Sequence, residues 1–389
     1  WTNFYAGPLE DFQEVIMEGE ELNRPNVKAM GMIMKAWTAQ VVTDLWGDIA
    51  YSQALRGRDP DAPLTVEFDT QEEVYNQLLA EVTEAAAMID PSAVRIERGD
   101  LIYGGAGKQI QMERWRKFAN SLRMRMAMRL SEVAPARAQS EFVNAYQAGG
   151  FESNDDAAVL QYLDNGVNRH PIHVYELSRD DHSVSGTLID TLKHLNDPRL
   201  PVYALPNKFG EYWGAPNGDM YDPELDSISR IGDFYSSADS KGVLMSYAEL
   251  LFLQAEAAER GWIAADPAAL YEAGIRAAME FNKIDAAAID AYLAQPVITY
   301  QGGMAGRRQI ALQKWIALFG NGPEAYAEWR RTGWPELTPG PDAKNDGQIP
   351  RRLFYPASEL GLNRAAVEAA KARQGGATLK SPVWWDVRQ

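Results

Sequence analysis

The densest cluster of usable chemistry in this sequence is aromatic. Residues 196–245 carry Tyr203, Phe209, Tyr212, Trp213, Tyr221, Phe234 and Tyr235, interleaved with five prolines and with Gly210, Gly214, Gly218, Gly232 and Gly242. Flat rings stack on sugars through dispersion and C–H contacts, while Asn, Asp and Arg side chains read hydroxyls. Gly210 and Gly214 flank Tyr212 and Trp213, so the backbone can present two rings side by side. The same rings serve equally well to pin a loop to a core. From this segment we expect ligand contacts at Tyr212, Trp213, Tyr221, Asp233 and Tyr235. A loop this long inside a compact protein is functional or disordered, and its aromatic content argues against disorder.

Other chemistries fare less well. The four histidines all lie between His170 and His194. His170 and His173 could ligate a metal with Glu176, Asp180 or Asp181, yet the spacing matches no zinc motif. Asn217, Asp219, Asp222, Glu224 and Asp226 offer hard oxygens for calcium, but not at EF-hand spacing. No metal site and no cofactor is expected. The run Tyr103–Gln109 has the glycines of a phosphate loop but lacks the earlier glycine and the following Ser or Thr. A nucleophile elbow is missing, and no carboxylate pair stands out among 54 acids. The absence of cysteine removes thiolate catalysis and disulfides.

The elements that must position these residues read as helices. Apolar residues recur at helical spacing over 69–90, where Val74, Leu78, Val82 and Ala86 share a face and Asp69 or Thr70 caps. Similar stripes predict helices at 8–22, 27–46, 112–133, 135–148, 184–195, 246–260, 267–282, 285–294, 306–319, 322–332 and 357–374. The pair 246–260 and 267–282, separated by Gly261 and started by Pro267, is close to the ~34-residue tetratricopeptide unit. Strand-like alternation is scarce. The expected fold is therefore mostly α, a tetratricopeptide-like helix-turn-helix scaffold spanning 1–389 as one body, with 196–245 as its irregular part.

Acids outnumber bases, 54 to 38, for a net charge of −16. Such a surface repels nucleic acid. The basic helix around Arg114, Arg116, Lys117, Arg123, Arg125 and Arg129 is thus expected to pair with acidic neighbours inside the molecule. No run of residues approaches the ~18 apolar positions of a membrane span. The chain opens on Trp1 without a signal-like segment, so either the protein is cytoplasmic or its targeting segment has been removed.

Several runs, in order, resemble the SusD/RagB family. They are Thr43–Ala54 (TDLWGDIAYSQA), Gln71–Tyr75 (QEEVY), Trp115–Arg125 (WRKFANSLRMR) and Tyr247–Gly261 with its AEAAERG ending. Gln313–Phe319 (QKWIALF), Glu328–Pro335 (EWRRTGWP), Ile349–Pro356 (IPRRLFYP) and the closing Trp384-Trp385-Asp386 continue the series. Ala50 stands where the family usually has proline. The resemblance implies helical units on one side and an irregular ligand-binding part on the other. It further implies a lipid-anchored outer-membrane surface protein that sits on a SusC-like TonB-dependent transporter. Such a protein captures oligosaccharides, or in some branches peptides, without catalysis. Trp46 joins the expected ligand contacts because the family's first-helix exit lies near the binding face. The family's lipoprotein signal and lipidated Cys are absent here, so the anchor is an inference. A glycoside hydrolase and a tetratricopeptide adaptor holding a partner peptide are the competing readings.

Overall fold

A computed structural model describes the chain except residues 64, 94–97, 180–181, 220–223 and 389. Helices dominate, and the contacts sort into two compact units. Unit 1 is Trp1–Phe151, Tyr326–Gly333 and Pro350–Gln389; unit 2 is Glu152–Ala325 and Trp334–Ile349.

In unit 1, α1 (Glu10–Glu21), α2 (Pro25–Trp46), α3 (Gln71–Met88), α4 (Lys108–Arg129) and α5 (Pro135–Ala148) each pack on the next. The α2 helix is apolar nearly all round, with Ala29, Ile33, Ala36, Ala39 and Val42 fully buried, as a helix covered on several sides must be. Small residues set how closely α1 approaches it. A Cβ on Gly19 would lie 2.5 Å from the Lys28 backbone nitrogen, and one on Gly31 would lie 2.9 Å from Ile16. Thr70 caps α3 and exchanges bonds with Glu73, which satisfies two donors of the first turn. The helix expected at 112–133 stops at Arg129 because Pro135 starts α5 and holds Ala134 out of helical geometry (φ −142°, ψ 63°). The helix expected at 357–374 is two, Ala357–Leu362 and Arg364–Arg373. It breaks at Asn363 (φ −135°, ψ 46°), whose side-chain amide donates to the Val66 carbonyl at 2.7 Å.

A buried polar cluster lies inside this apolar unit. The Asp44 carboxylate accepts from the Tyr75 hydroxyl at 2.6 Å and from the Trp385 indole at 2.7 Å, and lies 3.3 Å from Arg129. Arg330 donates to the Asp44 carbonyl at 2.6 Å and lies over the rings of Tyr326 and Trp385. Arg331 holds Glu328 at 2.7 Å. Arg123 pairs with Glu141 on α5. Two arginines of the basic α4 are thus neutralised inside the unit, as the acidic remainder of the chain implied.

Unit 2 contains α6 (Pro171–Glu176), α7 (Gly186–His194), α8 (Tyr247–Glu259), α9 (Pro267–Phe281), α10 (Ala286–Leu293) and α11 (Gly303–Ala317). One antiparallel pair joins β1 (Ala158–Gln161) to β2 (Lys241–Met245), with Val159 opposite Val243. The α8–α9 turn follows the sequence punctuation: Gly261 takes φ +73°, and Asp266 caps a helix that opens on Pro267. Gly274 lets α9 settle against the Phe252 ring of α8. Leu188, Ile189, Tyr203, Phe252, Ile275 and Ile316 share the core. Buried Arg199 is bound by Asp197 at 2.5 and 2.9 Å and by Gln313 at 2.8 Å, so its charge is compensated where water cannot reach.

Candidate ligand-binding surface

The segment 196–245 is less irregular than its composition predicts. It includes the short helices Leu200–Tyr203 and Asp233–Ser236, and it ends in β2. Around them, four extended runs are laced by backbone bonds. Val184 donates to Ser229, Ala215 to Val184, Leu205 to Arg230, and Lys208 to Asp226, all at 2.8–3.0 Å. This lattice replaces regular secondary structure and answers the backbone's demand for partners.

The lattice separates the expected ligand residues. Trp213 is 62 % exposed. Its amide donates to the Ser229 hydroxyl at 3.1 Å and its carbonyl accepts from the Ser229 amide at 2.6 Å, so a fixed backbone presents a free ring. Tyr212 is half-buried against the unit 2 core, with its carbonyl taking the Lys193 ammonium. Asp233 is exposed in the first turn of its short helix. Tyr221 and Asp222 lie outside the described residues. Phe209, which was given no ligand role, is exposed at the tip of a turn held by the Asn207 side chain.

Two expectations need correcting. Tyr235 is 6 % exposed, donates to Asn282 at 2.7 Å, and meets Tyr203 and Phe319 edge-on. Burial pushes its hydroxyl pKa well up. Trp46 is also 6 % exposed, bonds the Phe354 carbonyl at 2.8 Å, and is enclosed by Trp1 and Phe4. Neither ring has a face to offer a ligand. Trp46 belongs to unit 1, whereas the aromatic segment belongs to unit 2.

What unit 2 does assemble is a cavity of about 380 Å³ lined by Glu176, His182, Leu205, Asp226 and Arg230 among others. Arg230 pairs with Glu176, whose other oxygen lies 2.7 Å from His182 Nδ1. Asp226 and Glu224 are held by Lys208 at 2.9 and 2.6 Å. Two cations, Arg230 and Lys208, thus hold three carboxylates between them. Beside the cavity, Tyr175 is 54 % exposed, and its ring lies 5.9 Å from that of His182. Trp213 stands one backbone partner away, through Ser229, from Arg230. An exposed ring next to a polar pocket whose acids are paired is an arrangement suited to sugar binding.

Sequence reasoning missed Tyr175 and Arg230, and it considered Glu176 only beside His170 and His173 in a metal site that it did not adopt. Glu176 instead serves Arg230 and His182, and His170 packs edge-on against Tyr162. Asp180 and Asp181 are outside the described residues. The legible signal was Pro171, which starts the helix carrying Tyr175.

A family model described as starch-binding and associating with the outer membrane, SusD-like_2, matches residues 1–356. The chain belongs to this SusD-like family. Solved SusD-like structures agree in fold. A chitin-binding protein is 32 % identical, with a TM-score of 0.87 over 100 % of this chain and 87 % of that one. A chitin-binding SusD homologue from Flavobacterium johnsoniae is 28 % identical, with a TM-score of 0.87 over 100 % and 86 % of the two chains. For a SusD homologue from Bacteroides uniformis the values are 28 % and 0.86, over 98 % and 85 %. A comparison with curated proteins gives no match. The mostly helical, tetratricopeptide-like architecture expected from sequence is the one this SusD-like chain shares with them. Among its described residues, no helix is long and apolar enough to cross a membrane.

Proposed function

We propose that this SusD-like protein captures oligosaccharide at a bacterial outer-membrane surface. It binds without catalysis and delivers the glycan to a partner SusC-like TonB-dependent transporter, and a lipid anchor holds it in place. The observation that carries the reading is the exposed Tyr175 ring beside the polar cavity, with the Trp213 backbone fixed by Ser229. The similarity to two structures named as chitin-binding supports a glycan ligand and makes N-acetylglucosamine oligomers the first choice. Single sugar-stacking sites are weak, and co-localisation with a transporter offsets that through effective concentration.

The test is calorimetric titration with N-acetylglucosamine and malto-oligosaccharides, alongside a peptide panel. At least one glycan should bind, and Tyr175→Ala should weaken it by about tenfold, the equivalent of ~1.4 kcal/mol. Binding confined to peptides would move the protein to a peptide-capturing branch. Release of new reducing ends would make it a hydrolase instead. Transporter partnership is checked by co-purification from solubilised outer membranes.

A further inference from the structure

The cavity of unit 2 is not polar throughout. Beside Glu176, Asp226 and Arg230, its lining includes the aliphatic side chains of Ile172, Leu205, Leu225 and Ile231. Ile172 and Glu176 stand one turn apart on α6, so with Tyr175 they share a face of that helix. The remainder comes from the backbone lattice. The Leu205 amide donates to the Arg230 carbonyl at 2.8 Å, and the Lys208 amide donates to the Asp226 carbonyl at 2.9 Å. Leu205 and Lys208 lie three residues apart on one extended run, which anchors Asp226 and Arg230 at points about 10 Å apart. The Asp226 carboxylate is held by Lys208, and the Arg230 guanidinium by Glu176. One end of the ladder therefore supplies a fixed acceptor and the other a fixed donor. Leu225 and Ile231 follow directly beside them in the chain.

A ligand made only of hydroxyls gains nothing from those aliphatic walls, because a hydroxyl set against them loses its water without gaining a partner. An acetamido group uses both kinds of wall. Its methyl is apolar, and its trans amide points N–H and C=O to opposite sides, so it needs an acceptor and a donor across a gap. An ionised carboxylate only accepts and a guanidinium only donates, which fixes the direction in which the amide can lie. At about 380 Å³ the cavity is near the lower end of the range for small-molecule sites, ~300–1,000 Å³, and so suits a substituted sugar unit more than a long chain. The exposed Tyr175 ring lies beside it for stacking on the pyranose face. We propose that this cavity is an acetamido pocket: Asp226 takes the amide N–H, Arg230 donates to the amide carbonyl, and Leu225, Ile231 and Ile172 enclose the methyl. The proposal rests on the glycan-capture reading and narrows its ligand to sugars that carry a 2-acetamido group.

The experiment titrates the purified protein at neutral pH with three β-1,4-linked tetramers that differ only at C2, those of N-acetylglucosamine, glucosamine and glucose. Saturation-transfer NMR then records which ligand protons lie against the protein. Wild type should prefer the acetylated tetramer by about tenfold or more over each of the others, and its acetyl methyl should be the most strongly saturated group. Leu225 is 45 % exposed and the Asp226 side chain 64 %, so Leu225→Ser and Asp226→Ala keep the fold, which unchanged melting temperatures verify. Each variant should lose most of the preference, and Leu225→Ser should also lose the methyl saturation. Tyr175→Ala should weaken all three tetramers alike, because stacking does not read C2. Equal affinity for the acetylated and glucose tetramers, tighter binding of the glucosamine tetramer, or a preference that survives both Leu225→Ser and Asp226→Ala overturns the proposal and leaves glycan capture standing. Failure to bind any of the three or malto-oligosaccharides defeats the capture reading and the acetamido pocket with it.

Discussion

The Asp44 cluster of unit 1 and the Tyr175–Arg230 surface of unit 2 are built from the same residue types. Each has arginine against carboxylate and each has aromatic rings at hand. In the first, Tyr75, Trp385, Arg129 and Arg330 all converge on Asp44, and each of these side chains is buried. In the second, Glu176 binds Arg230 and His182, but Tyr175 and Trp213 keep open faces. The chemistry is similar and the completion differs. Where the charged groups and rings are buried on one another, the cluster sets structure; where ring faces are left wet, it can take a ligand.

The largest test of that contrast is Asp44→Ala. It removes the acceptor of Tyr75 and Trp385 and the carboxylate nearest Arg129, and should cost about 3–5 kcal/mol in urea unfolding. A loss below ~1 kcal/mol would break the structural half of the comparison. Trp46→Phe comes next. It forfeits the bond to the Phe354 carbonyl and part of a packed ring, for about 1–2 kcal/mol, while glycan affinity stays at the wild-type value. Trp213→Ala should do the reverse. Affinity should fall by about tenfold and stability should stay within ~0.5 kcal/mol, so an unchanged titration curve would remove Trp213 from the surface.

The smallest effect concerns His170. Burial, and then the nearby His173, lower its pKa. A depressed histidine pKa contributes stability that is present above the unfolded value of ~6.5 and fades as pH falls through the folded value. Unfolding midpoints in urea should therefore drop between pH 7.5 and 5.5, and His170→Gln should flatten that slope. An equal slope in the variant would assign the loss to other groups.

Much of the scaffold was legible because helical periodicity is local. Pro135–Ala148 and Gly322–Thr332 fall where the sequence pattern puts them, and Gln71–Met88 lies within two residues of it. Asn363 broke one long pattern because its amide found a partner nearly three hundred residues away, which no local window contains. The same limit governs the rings. Tyr235 and Trp213 look equivalent in a list of aromatics. Only Asn282 and Phe319, supplied by other elements, decide that the first is buried, and only the Ser229 bonds hold the second out. Glu176 and Arg230 are 54 residues apart, so their pairing was invisible until the chain was folded. The resemblance to the family located the scaffold but not the ligand-contacting side chains.

The bond from Trp385 to Asp44 joins residues 341 positions apart. It gives the two units different schedules during synthesis. Unit 2 is one run from Glu152 to Ala325 plus a short return, Trp334–Ile349, so most of its core is available once α11 has left the ribosome. Unit 1 has α1–α5 early but lacks Arg330, Arg331 and Trp385 until the main run of unit 2 has been made. A nascent chain therefore carries α1–α5 without those partners while residues 152–325 are made. The order of synthesis thus lets unit 2 close on itself before unit 1 has all of its partners.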